Sequence, residues 1–203
     1  MKHSVALTLV LVLWAAPASV TECRCDVYKL KGGWCSKCET GHLAGVRNKS
    51  EFLFEVLDAH GHDIDPSAIR CGICKEARKS NSFCDQCRRG WIDNKVYMSR
   101  LTYHLTKGEA RVLSDIKCAT CREGAAKGGW CEKCRLGMVG NVAIKDKTDF
   151  DHAAEAYRRL LDAVRLSSRC EMCAVALMSD GRCTKCNKSY KNGEIVSGEQ
   201  QKD

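Results

Sequence analysis

The sequence has only two prolines, Pro17 and Pro66, among its 203 residues. This scarcity excludes a polyproline linker and a collagen-like chain. Aromatic residues make up 6% of the chain, and the 44% hydrophobic share counts every cysteine. The composition therefore favours several small units, each held by a metal or disulfide staple, over one large core. No apolar run reaches the roughly 18 to 20 residues that a membrane span requires.

The N-terminal segment, residues 1–18, has the pattern of a secretory signal peptide. Lys2 supplies a positive charge, residues 5–16 form an apolar stretch, and Ala16-Pro17-Ala18 offers small residues at a cleavage site. We therefore predict an exported protein, secreted or periplasmic, whose mature chain begins at Ser19. Such a chain enters an oxidising compartment.

All 16 cysteines belong to four quartets with a constant internal pattern. Each quartet consists of two cysteine pairs separated by nine residues, and every pair is CxxC except the first, which is CxC. Successive quartets lie roughly 50 residues apart, and a fixed period of this length marks a repeat architecture. The quartets are Cys23, Cys25, Cys35 and Cys38; Cys71, Cys74, Cys84 and Cys87; Cys118, Cys121, Cys131 and Cys134; and Cys170, Cys173, Cys183 and Cys186.

Other residues repeat together with the cysteines. The residues that precede the third cysteine of the four quartets are Trp34, Phe83, Trp130 and Arg182. The residues three positions after the fourth cysteine are Gly41, Gly90, Gly137 and Ser189. The aromatic side chains are predicted to pack over the cysteine sites, and the fourth quartet departs from the pattern at both positions.

The segments between the quartets are predicted to be helical spacers. In the third spacer, Phe150, Ala154 and Tyr157 lie on one face of a helix that Thr148 would cap. In the first spacer, Ser50 can cap a helix that ends near residue 61. The predicted organisation is 1–18 signal peptide, 19–41 ribbon one, 42–69 spacer one, 70–90 ribbon two, 91–116 spacer two, 117–137 ribbon three, 138–168 spacer three, 169–190 ribbon four and 191–203 polar tail.

The spacing within a quartet is typical of a metal site. A CxxC brings two sulfurs together on a tight turn, and two such turns joined by a nine-residue hairpin supply four ligands in tetrahedral disposition. Zn²⁺ favours this geometry, and its structural sites are four-coordinate and closed. We therefore predict that all 16 cysteines are metal ligands and that the chain binds about four Zn²⁺ ions. The net charge of +8, or +7 for the mature chain without Lys2, would nearly offset four dianionic zinc–thiolate sites.

The stretch from Cys74 to Cys87, with Phe83 before the second pair, resembles the short zinc-ribbon families. The resemblance covers the four cysteine blocks and not the spacers. It implies a structural metal and an interaction role. The predicted fold class is thus a small metal-stapled α+β fold: four tandem zinc-ribbon β-hairpin modules separated by short α-helical spacers. We expect the modules to stack as an elongated or curved array.

The resulting functional hypothesis is an exported, non-enzymatic protein whose partners are other proteins. A soft-metal storage or trafficking protein is a second hypothesis. A disulfide-stapled scaffold is a third, since an even number of cysteines in an exported chain can pair. An iron–sulfur or other metal site and a CxxC redox protein also remain open, although the redox fold would need a βαβ context.

Two further binding hypotheses concern nucleic acid and an additional metal ion. The sequence argues against nucleic acid as a partner, because no basic stripe interleaved with aromatic residues is present. His60 and His62, close to acidic residues, could bind an additional ion such as Cu²⁺ or Ni²⁺. The simpler interpretation of these two histidines is a solvated loop that follows a helix.

Overall fold

The computed structural model describes residues 25–196. This range contains helices and short antiparallel strands, so the fold is a small α+β fold, as predicted. Two single-turn 3-10 helices lie at Pro66–Ala68 and Leu113–Asp115. The α-helices are α1 Asp26–Lys31, α2 Glu51–Leu57, α3 Gly72–Lys79, α4 Arg100–Leu105, α5 Ala119–Lys127, α6 Lys147–Ser167 and α7 Glu171–Ser179. The strands are β1 Gly33–Cys35, β2 Thr40–Leu43, β3 Val46–Asn48, β4 His62–Asp63, β5 Phe83–Cys84, β6 Arg89–Ile92, β7 Lys95–Tyr97, β8 Glu109–Ala110, β9 Gly129–Cys131, β10 Leu136–Val139, β11 Val142–Ile144, β12 Arg182–Cys183, β13 Lys188–Lys191 and β14 Glu194–Val196.

Each quartet lies in a module that consists of one helix followed by a three-stranded antiparallel meander. The first module contains α1 and β1 to β3, the second α3 and β5 to β7, the third α5 and β9 to β11, and the fourth α7 and β12 to β14. The predicted β-hairpin between the two cysteine pairs is wrong, because a helix occupies most of that interval in every module. In the second and third modules the interval is rich in Ala, Glu, Lys and Arg, which favour helix. At its end a residue with positive φ redirects the chain into the strand: Gly32, Asn81, Gly128 and Asp180.

A linking helix follows each of the first three modules, namely α2, α4 and α6. The segments predicted as helical spacers also contain strands. In particular, β4 and β8 add a fourth strand at the outer edge of the second and third sheets, where they pair with β7 and β11. The third linking helix, α6, is much longer than the others and is followed almost directly by α7. In the two earlier connections, an edge strand and a 3-10 helix lie between the linking helix and the next module helix.

The same contact joins sheet and linking helix in the first three modules. The fourth residue of each linking helix is aromatic, and its ring lies close to the aromatic residue that precedes the third cysteine. The ring centroids are 5.7 Å apart for Trp34 and Phe54, 5.4 Å for Phe83 and Tyr103, and 5.4 Å for Trp130 and Phe150. The repeated glycine lies beneath this ring, since an added Cβ would lie 2.5 Å from Phe54 at Gly41, 2.2 Å from Tyr103 at Gly90 and 2.0 Å from Phe150 at Gly137. The fourth module, with Arg182 and Ser189, has no linking helix after it among the described residues.

The first, third and fourth modules and the three linking helices contribute to one common core around α6. The second module has its own small core and reaches the common core through α4. Helix α6 packs against α4 and α7, and α7 also contacts α2. The linking helix that follows the first module therefore contacts the fourth module, the one most distant from it in sequence. The predicted elongated or curved array is wrong for this reason: contacts are not restricted to neighbouring repeats. Members of the common core include Leu43, Leu53, Leu57, Leu101, Leu105, Val139, Ile144, Phe150, Tyr157, Leu160, Cys173, Leu177 and Tyr190.

Polar contacts also connect modules that are not neighbours in sequence. The Asn141 side-chain amide donates hydrogen bonds to the carbonyl oxygens of Lys29 at 3.1 Å and Leu30 at 2.9 Å, which joins the third module to the first. The Arg88 guanidinium contacts the Asp180 carboxylate at 2.7 Å and donates to the Ser179 carbonyl at 3.0 Å, which joins the second module to the fourth. These long-range contacts fix the relative positions of the modules.

The contact between the first and third modules predicts the effect of Gly140→Ala. Gly140 has a φ of 57°, and a Cβ at this position would lie 1.7 Å from the carbonyl oxygen of Ala44. We expect a loss of about 1–3 kcal/mol in the free energy of unfolding, since strain and a backbone clash act together. Urea denaturation measures this change. Gly72→Ala is the matched control, because Gly72 opens a helix and has open space around its Cβ position. An equal effect of both substitutions would contradict the contact.

A buried histidine at the α4–α6 contact predicts how stability depends on pH. His104 is 4% exposed, and its Nδ1 lies 2.8 Å from the Asp149 carboxylate, which also binds Lys107. Burial lowers the pKa of His104 to about 4, although Asp149 opposes the shift. The His104 imidazole therefore takes up a proton more readily in the unfolded chain than in the folded one. The free energy of unfolding should fall as pH decreases from about 6.5 towards about 4. The loss approaches about 1.4 kcal/mol per pH unit in this window.

The His104 prediction is tested by thermal or urea unfolding at several pH values, with the metal content measured at each. His104→Asn is the control, because the amide can still donate to Asp149 but does not titrate. The pH dependence should be smaller in this variant wherever the metal content is unchanged. The same pH dependence in both proteins would show that another group causes it.

Candidate metal centres

The local structure around each quartet places its four cysteines on two facing elements. In the second, third and fourth modules, the first cysteine is the N-cap of the module helix and the second lies in its first turn. The third cysteine ends a strand, and the fourth lies in the turn that leads to the next strand. The residue after the fourth cysteine has positive φ in all four modules: Glu39 at 46°, Arg88 at 55°, Arg135 at 48° and Asn187 at 53°. This left-handed residue turns the chain away from the sulfurs, and no sequence signal indicated it, since none of the four is glycine.

The sulfur atoms converge to distances that suit a single ion. All four Sγ atoms lie within 4.8 Å of one another in the second, third and fourth quartets, and so do those of Cys25, Cys35 and Cys38. The fourth ligand predicted for the first centre, Cys23, lies outside the described residues. A tetrahedral ion with Zn–S bonds of about 2.3 Å separates its ligands by about 3.8 Å. The Sγ–Sγ distances are 3.9 Å for Cys71 and Cys84, 3.8 Å for Cys118 and Cys131, and 3.8 Å for Cys170 and Cys183.

These distances weigh against the disulfide hypothesis for the chain as it is folded here. A disulfide requires an S–S separation of about 2.05 Å. None of the 12 cysteines in the second, third and fourth quartets forms one. The redox-protein hypothesis also lacks its structural context, because the paired strands among residues 25–196 are antiparallel and form no βαβ crossover.

Burial divides every complete quartet in the same way. The second and third cysteines are buried, whereas the first and fourth reach the surface to different degrees. The two buried sulfurs of the second module belong to a small cluster with Trp91 and Val96, and those of the third to a cluster with Met138. The buried sulfurs of the fourth module, Cys173 and Cys183, belong to the common core. The metal centres are therefore part of the hydrophobic packing of their modules.

The protein environment separates the pKa values of the thiols. The Cys74 backbone N–H lowers the pKa of Cys71 to about 7, and equivalent bonds lower the pKa of Cys118 to about 6 and of Cys170 to about 7. Burial raises the pKa of Cys74 and Cys121 well above the usual range, and that of Cys173 to about 12. Without an ion, four thiolates cannot share one site. A bound cation must therefore displace the protons of the buried thiols.

The two histidines proposed as ligands of an additional ion do not form a cluster. Among the described residues, the groups of ligating side chains within reach of one ion contain cysteines alone. His62 lies on β4, and its Nδ1 is 3.2 Å from the Asp58 carboxylate. The simpler interpretation was a solvated loop after a helix; His62 is exposed and follows α2, but it lies on a strand and not in a loop.

Comparisons with known proteins provide no family for the chain. No family model, curated protein or solved structure matches it. None of the helices within residues 25–196 has the length and apolar character needed to cross a bilayer. The function of the chain must therefore be inferred from the cysteine centres themselves.

Proposed function

We propose that the chain is an exported, non-enzymatic protein in which about four Zn²⁺ ions occupy structural sites of four cysteine thiolates each. The observation that carries this proposal is the set of three complete quartets whose sulfurs converge within 4.8 Å. Cys25, Cys35 and Cys38 would hold the ion of the first centre together with Cys23. Zinc suits four thiolates in a tetrahedral arrangement and has no redox chemistry of its own.

A structural role is supported by what each ion would connect. It would join the N-terminus of a module helix to the turn between two strands of the same module. The second and third modules have only small hydrophobic clusters of their own, and cysteines are among the members. Small units of this kind gain about 10 kcal/mol or more from a structural zinc site. In this function the ions stabilise the fold and perform no chemistry.

A scaffold for protein partners is the role that we propose for the metal-loaded chain. Exposed apolar side chains lie between the cysteines of two first pairs, with Ile73 54% exposed and Met172 38% exposed. Apolar groups at the surface are a common component of protein interfaces. Export is supported by the signal-peptide pattern of residues 1–18, which lies outside the described residues. Sequencing of the mature N-terminus, expected at Ser19, tests this part.

Soft-metal storage or trafficking is a second candidate, favoured by the partial exposure of the first and fourth cysteines. Structural sites exchange their metal slowly, whereas storage sites exchange it readily. Addition of Cd²⁺ to the zinc-loaded protein distinguishes the two, with zinc release followed over time. Rapid replacement at every centre would favour storage, and retention of zinc for hours would favour the structural role.

Metal stoichiometry and free thiols test the main proposal. The full-length protein, exported by a native-like host, would be analysed by elemental mass spectrometry and by mass tagging of thiols after chelation. We expect about four zinc ions per chain, with all thiols recovered. Protein without metal and without free thiols would overturn the proposal in favour of a disulfide scaffold. Copper in place of zinc would favour metal handling.

A further inference from the structure

Each complete quartet presents one edge of its sulfur tetrahedron to solvent. This edge joins the first and fourth cysteines, while the second and third cysteines are buried. The exposure of the edge differs between centres. Cys134 and Cys186 are exposed, whereas Cys87 is only partly exposed. A reagent from solvent therefore meets the first and fourth cysteines before the others.

The surroundings of the edge also differ between the second and fourth modules. Cys87 faces a cleft of about 440 Å³ whose walls include residues of α4, α6 and α7. The fourth module has no such cover. It has the exposed Arg182 where the other modules have an aromatic residue, and no linking helix follows it in the described part of the chain. The fourth centre is therefore the more accessible of the two.

The two sulfurs of the fourth edge are close neighbours at the surface and can approach each other without movement of the core. The Sγ atoms of Cys170 and Cys186 are 3.6 Å apart. A bond between Cys170 and Cys173 would instead require movement of Cys173, which is 2% exposed and packed in the common core. Interior packing resists such movement. Pairing of the two surface cysteines is consequently the route with the least rearrangement.

We propose that Cys170 and Cys186 form a site of reversible oxidative modification, at which a peroxide converts the two thiolates to a disulfide and the fourth centre releases its metal ion. This inference rests on the proposed metal-binding function. The Cys118–Cys134 edge of the third module is the next site to react, because Cys134 is exposed as well.

The reaction is a two-electron oxidation. The sulfur of one cysteine attacks a peroxide oxygen, so that an S–O bond forms, the O–O bond breaks and hydroxide leaves. The second thiolate then attacks the oxidised sulfur, an S–S bond forms, and the second oxygen leaves as hydroxide. Two protons from solvent convert the hydroxides to water. A bound ion would then have only Cys173 and Cys183 as ligands, too few to hold it in a four-coordinate site.

The disulfide would replace the ion as a connection within the module. It joins the start of α7 to the turn between β12 and β13, which are the elements that the metal joins. The contacts of α7 with α6 and α2 in the common core can therefore persist. Oxidation of the fourth centre is expected to release one ion without unfolding the protein, and a dithiol reductant with added zinc should restore the original state.

The test uses zinc-loaded full-length protein and hydrogen peroxide below one equivalent per chain. A zinc-sensitive dye records metal release, and peptide mapping by mass spectrometry identifies the disulfides. We expect the first disulfide between Cys170 and Cys186, one zinc ion released for each disulfide, and uptake of that ion again after reduction. The second centre, with Cys71 and Cys87, is the internal control and should react more slowly.

Three results would overturn the inference. They are first oxidation at any centre other than the fourth, first pairing within a CxxC such as Cys183 and Cys186, and disulfide formation without metal release. Zinc measured before oxidation separates this failure from that of the proposed function. Protein that carries its zinc but gives one of these results refutes the oxidation site alone, whereas protein that never holds zinc refutes both.

Discussion

Cys173→Ser should abolish the cooperative fold of the whole protein, and not of the fourth module alone. The substitution removes a buried ligand of the fourth centre, and a structural zinc site contributes about 10 kcal/mol or more. Total stabilities of domains are about 5–15 kcal/mol, so this loss is comparable with the whole. Cys173 also packs in the common core that α6 and α7 share with α2 and α4. Loss of the fourth centre therefore disturbs the packing of the linking helices α2, α4 and α6 and, through them, the modules that these helices follow.

The matched variant is Cys74→Ser in the second module. Cys74 is equally buried, but it belongs to a separate cluster with Trp91 and Val96. We expect Cys74→Ser to unfold the second module while the amides of α6 and α7 stay protected. Hydrogen exchange measured by mass spectrometry, together with metal content, compares the two variants. Global unfolding by Cys74→Ser, or retention of protected α6 amides in Cys173→Ser, would contradict the proposed division between common core and module cores.

Gly137→Ala is expected to destabilise the protein by about 3 kcal/mol or more, at the upper end for overpacking. A Cβ at this position would lie 2.0 Å from Cδ2 of Phe150 and 2.3 Å from its Cγ. Phe150 cannot retreat easily, because it is buried in the common core and Trp130 packs against its ring. Urea or thermal denaturation of the zinc-loaded protein measures the effect.

The fourth module provides the control for this prediction. Ser189 occupies the position of the repeated glycine and already carries a Cβ, so Ser189→Ala should change stability little. A second comparison is Gly137→Ala combined with Phe150→Leu, which removes the ring from the contact and should recover part of the lost stability. If the double variant is no more stable than expected from the sum of both changes, the clash with the ring is not the cause.

The repeated glycine and aromatic residues could be recognised from the sequence, but their structural role could not. Their recurrence with the cysteines was visible in the sequence, but its cause was not, because the partner rings of Phe54, Tyr103 and Phe150 lie in the linking helices. The fourth quartet lacks both the glycine and the aromatic residue, and this has a structural explanation: within the described residues no linking helix follows that module to supply a partner ring. Ser50 was predicted as a helix cap and its hydroxyl accepts a bond from the Leu53 N–H at 3.1 Å, whereas α6 is capped by Asp146 and not by Thr148.

The helix between the two cysteine pairs of each module was not predicted from the sequence, which suggested a β-hairpin there. A nine-residue interval with Gly or Asn near its end is compatible with a hairpin and with a helix that stops at a left-handed residue. The side chains of α3 and α5 favour helix, and the first cysteine acts as the N-cap residue. The zinc-ribbon resemblance gave weight to the hairpin and hid this alternative. The positive φ of the residue after each fourth cysteine was likewise invisible, because Glu39, Arg88, Arg135 and Asn187 share no side-chain type.

The sequence by itself determined the cysteine clusters, since the four sulfurs of a quartet come from one short stretch and their spacing controls how closely they approach. The arrangement of the four modules was decided only in the tertiary structure. It depends on contacts between residues far apart in the chain, such as Gly140 against Ala44 and Arg88 with Asp180. The sequence positions of these pairs follow no period, so neither the repeat nor a hydrophobic pattern predicts the contacts. The accessibility of each metal centre follows from that arrangement. Equivalent cysteines are partly covered at one centre, as at Cys87, and exposed to solvent at another, as at Cys186.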